Sequence, residues 1–268
     1  MNIFSKQNEV NAILFDVQRV AEILFQKGWS EKNAGNITVK LPDAIDFSKI
    51  NMPDENKFAI SFPALKGKCF YMTGTGKRMQ DIADSATDNG LFIQINESGN
   101  GYYIVKATQK EVKPTSEFPS HLGIHNMIAE RGSTETIVMH THATEVIALT
   151  QNPAIKSSES LNKILWGMHP ETMVFVPKGA GFVPYILPGT QAIADATIKS
   201  FQLHDIVVWE KHGIFAIGKS VIDTFDNIDI VCKSAKIWFQ CKSAGFEPEG
   251  MTDAQLDELR ELVKKFNA

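Results

Sequence analysis

Apolar positions recur along the chain with two different periods. Between residues 5 and 27, Val10, Leu14, Val17, Val20, Ala21 and Leu24 fall three or four apart. That is one stripe of an α-helix, and Gly28 closes it. Ile37, Val39 and Leu41 instead alternate with polar residues, which predicts a strand. Asn33-Ala-Gly-Asn36 between them reads as a turn. The polar stretch 42–57, with Pro42 and Pro53, reads as a loop. Short strands are predicted at 58–62, 69–73, 91–95 and 101–107. Pro114-Thr-Ser-Glu117 opens a helix to about Glu130, and a strand over 136–140 runs into a helix near 143–151. A further strand is predicted at 173–176. Pro188-Gly189 precedes a helix to about Leu203, strands at 206–209 and 213–217 flank Lys211-His212-Gly213, and long helices cover 221–243 and 252–266. Several strands follow one another with no helix between them. The pattern therefore predicts an α/β fold with a central, mostly antiparallel β-sheet covered by helices, not a doubly wound parallel sheet. No linker divides the chain, so residues 1–268 read as a single domain, with 1–110 the part free to move as a subregion.

Composition narrows the classes of function. The 268 residues suffice to bury a substantial core. A net charge of -4 and the lack of a long basic run argue against a nucleic-acid partner. Cys69, Cys232 and Cys241 are odd in number, widely spaced and free of any CxxC pair. That speaks against a disulfide framework or a thiolate metal site and for a reducing compartment. The opening MNIFSKQNEV lacks the basic-then-apolar layout of a signal peptide, and no uncharged apolar run would span a bilayer. The expected setting is the cytoplasm, with no membrane partner.

The candidate chemistry lies at strand ends and turns. His140 and His142 are two apart at the end of the Ile137-Val-Met139 strand, so both imidazoles face one side and could meet one ion. From the pair alone, two histidines hydrogen-bonded at a strand edge is an equal reading. His212 occupies a comparable turn. Three histidines with an open position describe a catalytic zinc site, although His121, His125, His169 and His204 compete for the third place. His121 and His125 are four apart on a helix, and their simpler reading is a partly exposed helix face. Thr73-Gly-Thr-Gly-Lys77 follows a strand and could turn backbone N–H groups toward an anion, but it is neither a Walker loop nor a dinucleotide fingerprint. Thr115 or Ser116 can cap the following helix, whose free N–H groups favour anions. Glu117 beside them serves either that cap or acid–base chemistry. Glu171 is a weaker carboxylate candidate on a loop.

Taken together, Gly28-Trp-Ser-Glu-Lys-Asn-Ala-Gly-Asn36, Thr73-Gly-Thr-Gly76, Pro114-Thr-Ser-Glu117, Met139-His-Thr-His-Ala-Thr144 and Lys211-His-Gly213 resemble the class II aldolase family. That family also holds sugar-phosphate epimerases and the adducin head domain. Pro188-Gly-Thr190 and the chain length resemble its rhamnulose-type members. The resemblance implies an aldolase bound to Zn2+ that splits a ketose 1-phosphate, with L-rhamnulose 1-phosphate the substrate for this subgroup. It implies a homotetramer with active sites near subunit interfaces. It also implies that His140, His142 and His212 bind the metal and that Glu117 is the acid/base. Asn33, Asn36, Thr75, Gly76, Thr115 and Ser116 would hold the substrate phosphate, and Glu171 would reach a neighbouring subunit's site. Lys32 stands where an arginine is familiar, and Thr75 where a serine is common.

Overall fold

Alternating apolar side chains bring distant segments into one nine-stranded sheet in a computed structural model that describes residues 3–51, 53–105 and 112–266. The strands are β1 (Asn36–Lys40), β2 (Glu55–Lys57), β3 (Cys69–Thr73), β4 (Gly90–Ile95), β5 (Gly101–Val105), β6 (Ile137–Thr141), β7 (Ala180–Val183), β8 (Ile206–Trp209) and β9 (Gly213–Gly218). Their spatial order is β2-β5-β4-β3-β1-β6-β9-β8-β7. Only the edge pair β7–β8 is parallel; every other pairing is antiparallel. The helices are α1 (Gln7–Gln26), α2 (Met79–Asp84), α3 (Ala86–Asn89), α4 (Phe118–Glu130), α5 (Thr144–Leu149), α6 (Ser158–Met168), α7 (Pro170–Phe175), α8 (Gln191–Phe201), α9 (Val221–Ser243) and α10 (Asp253–Phe266).

The period-2 alternation splits each central strand between two cores. Ile37 and Val39 of β1 and Ile137 and Met139 of β6 join the core under α1, α5, α6 and α9. Val138, Val207, Phe215 and Ile217 join the opposite core, under α4 and α8. Thr38, Asn36 and His140 alternate with the first set, so they belong to the α4 side. There a third cluster of Phe70, Met72, Leu91, Ile93 and Leu122 continues the packing. All the side chains just named are buried. Cys69 and Cys232 are buried and, with Cys241, unpaired; burial pushes the first two thiols up. No described helix is long and apolar enough to cross a membrane.

The structure departs from the sequence pattern in several places. Residues 58–62 form no strand; the strand there is the exposed edge strand β2, three residues earlier, inside the stretch read as a loop. Phe58 and Phe62 pack edge-on with centroids 4.9 Å apart, and Phe58 also stacks on Tyr102 at 4.6 Å. An aromatic cluster, not strand pairing, organises that run. Residues 170–175 are helical, so the strand predicted at 173–176 is wrong. Pro170 sits in the first turn, where its missing N–H costs nothing, and Thr172 of that helix meets Ser234 of α9 at 2.7 Å. A four-residue apolar run cannot display which period it follows. The end of the strand predicted at 101–107 lies outside the described residues.

The sequence pattern also gave no sign of β7, whose Ala180-Gly-Phe-Val183 is only four residues long and opens on two poor strand formers. Asn162 of α6 fixes it. Its Nδ2 donates to Ala180 O at 2.9 Å, and its Oδ1 accepts from Ala180 N at 2.8 Å. Asn162→Leu is expected to orphan both backbone groups and lower stability by roughly 2–4 kcal/mol, read as a drop in the urea midpoint. An unchanged midpoint would show that β7 holds without this anchor.

Candidate metal centre and active-site cavity

The end of β6 is clamped by the segment that follows α1. The Trp29 carbonyl accepts from the Thr141 hydroxyl at 2.6 Å and from the His142 N–H at 2.9 Å. His140 and His142 thereby project together from the α4 side of the sheet. His212 arrives from the tight β8–β9 turn, whose Lys211 adopts φ 62°. Lys32, with φ 53°, precedes Asn33 on the other side of the cavity. Among the described residues, these two lysines are the only non-glycine residues in the left-handed region, and both flank this site.

The three imidazole rings have centroids 5.1, 5.2 and 4.9 Å apart, and one ligand atom from each lies within 4.8 Å of the others. The chemistry of their other partners shows which nitrogens are free. His140 Nδ1 lies 3.1 Å from the Ile214 carbonyl, which can only accept, so Nδ1 carries the proton and Nε2 keeps its lone pair. His142 Nδ1 donates to the Glu31 carboxylate at 2.7 Å, which leaves its Nε2 free in the same way. His140 Nε2 and His212 Nδ1 are buried without a hydrogen-bond partner. Burial, then the neighbouring histidines, holds His140 well below the ordinary histidine range and lowers His212. Imidazoles with free lone pairs, two of them with the second nitrogen anchored to a carbonyl or a carboxylate, fit a divalent cation. The His140 ring also stacks on Phe215 at 4.2 Å.

Glu117 is buried beside this group, its Oε2 3.8 Å from His140 Nε2. Two lone-pair donors so close are an arrangement that a cation would relieve. Glu117 directly precedes α4, yet its side chain makes no capping hydrogen bond. It accepts instead from Asn36 Nδ2 at 2.7 Å. Nor does Ser116 cap the helix; the Thr115 hydroxyl accepts from the Glu117 N–H at 3.4 Å, one residue before the first turn. The helix-cap reading of these residues is therefore replaced by one in which they face the cavity.

Two glycine turns complete the wall. Gly74 bridges to Pro114, and Thr75 N–H donates to Lys113 O at 2.9 Å, so the two loops lie side by side. A Cβ on Gly74 would sit 2.3 Å from Val112, a contact only glycine allows. Asn33, Asn36, Thr75, Gly76, Thr115, Ser116, Glu117, His140, His142 and His212 all line one cavity of about 230 Å³. Glu171 does not; it lies on α7 with its side chain half exposed, paired to His169 at 3.0 Å. A larger hollow of about 720 Å³, between α6 and α10, includes none of these residues.

The class II aldolase and adducin N-terminal domain family matches residues 16–239. The chain belongs to this family. It is 41% identical over 254 residues to a rhamnulose-1-phosphate aldolase of Bacteroides thetaiotaomicron, covering 92% of this chain and 94% of that protein. It is 34% identical to the same enzyme of Klebsiella pneumoniae, over 90% of this chain and 88% of that one. Among solved structures, a sugar-phosphate aldolase from Thermotoga maritima superposes with a TM-score of 0.78 at 29% identity, over 90% of this chain and 99% of that one. An L-fuculose 1-phosphate aldolase shares the fold, with a TM-score of 0.63 at 19% identity, over 96% and 97%. As a class II aldolase the chain is a lyase that uses a divalent metal.

Two features of this class II aldolase were not legible as chemistry in its sequence. Glu31, which orients His142, is one charge in a polar turn. His121 and His125 are not on an exposed helix face. They are 0% and 2% exposed, turned inward by α4 onto Thr38 of β1. Their spacing placed them on one face correctly but could not say which way the face looks.

Burial has a consequence for pH. It lowers His121 to about 3 and holds His125 and His140 well below the ordinary value. The unfolded chain binds these protons near pH 6.5 and the folded chain does not. Stability therefore falls as pH drops below 6.5, by about 1.4 kcal/mol per pH unit for each histidine. Urea midpoints of chelator-treated protein should fall between pH 7 and pH 5; a flat profile would contradict the buried neutral histidines. A second expectation concerns Gly213, where a Cβ would meet the Thr141 carbonyl at 2.5 Å and the His140 ring at 3.1 Å. Gly213→Ala should displace the histidines and reduce metal bound per chain, measured by atomic emission. Full metal content would show that the turn yields without moving them.

Proposed function

We propose that this chain, working as a single catalytic domain, reversibly cleaves L-rhamnulose 1-phosphate to dihydroxyacetone phosphate and L-lactaldehyde with bound zinc. One observation carries the proposal: five distant segments converge on a cavity that sets three free imidazole nitrogens beside a buried carboxylate. The choice of substrate is supported by relatives of that name matching over nine-tenths of the chain. His140, His142 and His212 would hold the ion, and their neutral donor set with no thiolate suits a catalytic zinc. When bound, the ion supplies Lewis-acid stabilisation of the negative charge that bond cleavage places on the ketone side.

The remaining work falls to the chain's own groups. Among the described residues, the cavity lining contains no lysine or arginine. The phosphate would therefore be held by neutral donors: the Asn33 amide, the Thr75, Thr115 and Ser116 hydroxyls, and backbone N–H groups around Gly76. Fixing that end presents the C3–C4 bond to the histidine group and makes the chemistry effectively intramolecular. The C4 hydroxyl passes its proton to solvent water as its carbon becomes the aldehyde, and the C3–C4 electron pair remains on C3. Glu117 in its acid form returns a proton to C3 and completes dihydroxyacetone phosphate. In the synthetic direction its carboxylate removes that proton. Asn36, carried over as a phosphate ligand, has its amide engaged by Glu117 and His121. Its role in this reading is to place Glu117.

Glu171 would act in a neighbouring subunit of a homotetramer. Its half-exposed side chain away from its own cavity and the exposed Phe175 on the same helix support that placement. Three unpaired cysteines suit the reducing cytoplasm.

A coupled assay for dihydroxyacetone phosphate should show rhamnulose 1-phosphate preferred over fuculose and fructose 1-phosphates, with activity lost to a chelator and restored by zinc. Release of a C4 epimer in place of two fragments would overturn the cleavage. Glu117→Gln should keep the metal and lower turnover by roughly 10²–10⁴-fold; a near-normal rate would remove Glu117 from the mechanism.

A further inference from the structure

Behind Glu117 runs a buried line of side chains that the reaction itself does not touch. Asn36 Nδ2 meets Glu117 Oε2 at 2.7 Å, and Asn36 Oδ1 meets His121 Nε2. Thr38 Oγ1 lies 2.8 Å from His121 Nδ1 and 3.0 Å from His125 Nε2. Thr38 and His121 are wholly buried, and His125, Asn36 and Glu117 are at most 8% exposed. The segments come from β1 and α4, held face to face by the sheet.

The direction of every donor along this line follows from its end. A carboxylate only accepts, so the Asn36 group facing it must be the NH2. The Asn36 oxygen then faces His121 and needs a donor, which makes Nε2 the protonated nitrogen. His121 Nδ1 is left with a lone pair, and the Thr38 hydroxyl donates to it. The Thr38 oxygen in turn accepts from His125 Nε2. Reversing any one link would set two lone pairs or two protons against each other among buried groups, which is costly. Burial keeps both histidines neutral, as this pattern requires.

We propose that His125, Thr38 and His121 are positioning residues that lock the Asn36 amide with its NH2 toward Glu117. This holds the carboxylate in the one orientation that addresses the substrate. The proposal rests on the acid/base role of Glu117. Without the line, the Asn36 amide is free to turn its oxygen toward the carboxylate and push it away from His140.

The test is a mutant cycle on the metal-loaded enzyme. Thr38→Val keeps the shape and removes the hydroxyl. It is expected to lower kcat roughly 10- to 100-fold with KM within about twofold and the bound metal retained. Thr38→Ser should restore most of the rate. Added to Glu117→Gln, Thr38→Val should cause no further loss, because its effect runs through a carboxylate already gone. If Thr38→Val does not fold, as judged by circular dichroism, His121→Phe keeps a ring beside Phe215 and is expected to behave likewise. A folded variant with normal kcat would overturn the proposal, as would losses that multiply in the Glu117→Gln background. Both of those outcomes leave Glu117 in place. A near-normal rate in Glu117→Gln alone would instead remove the acid/base reading, and the proposal with it.

Discussion

The register of β1 against β6 is the constraint on which the rest depends. Asn36 pairs with His140 and Thr38 with Val138 in an antiparallel ladder. Because side chains alternate, this register sends Asn36, Thr38 and His140 to the α4 side. It sends Ile37, Val39, Ile137 and Met139 into the opposite apolar core. A slip of one residue would bury the histidine-bearing face in aliphatic packing and turn the aliphatics onto the cavity. The chemistry is thus fixed by the same alternation that makes the strands cohere.

From that ladder the site grows outward by anchoring. The Trp29 carbonyl closes the end of β6, and Glu31 two residues later orients His142. The β8–β9 turn delivers His212 and packs Trp209 and Phe215 against the histidine rings. Gly213 is there because the Thr141 carbonyl and two imidazoles leave no room for a side chain. His140 and His142 each anchor the second ring nitrogen to a defined acceptor, the Ile214 carbonyl and the Glu31 carboxylate. Rigidity of this kind matters for a lyase, because positioned charge stabilises a transient carbanion only if it need not reorganise.

The polar interior on the α4 side is costly by ordinary folding standards. Two buried neutral histidines, a threonine and an asparagine take the place of aliphatic packing beneath α4. Such a network is tolerable because its described links are each satisfied, and it specifies one arrangement of Glu117 where an apolar core would specify none. Stability toward acid is what the fold gives up in return.

Much of the fold could be read in the sequence. The stripe of α1 and the alternation of β1 show their periods, the short apolar runs of β3, β4, β6, β8 and β9 were read as strands from their composition and bounding turns, and α9 matches the predicted span of 221–243. The short run at 173–176 could not show its period, and Ala180–Val183 pairs only because Asn162 and β8 hold it. The candidate site residues were likewise present as strand-end and turn motifs. Sequence decided which groups exist and which share an element, since spacing within a strand or helix fixes a common face. Only the tertiary structure decided that His121 and His125 look inward, that Glu117 leaves its helix cap for Asn36, and that Glu171 stays out of its own cavity. Those outcomes depend on what each face packs against, and local periodicity carries no information about the partner.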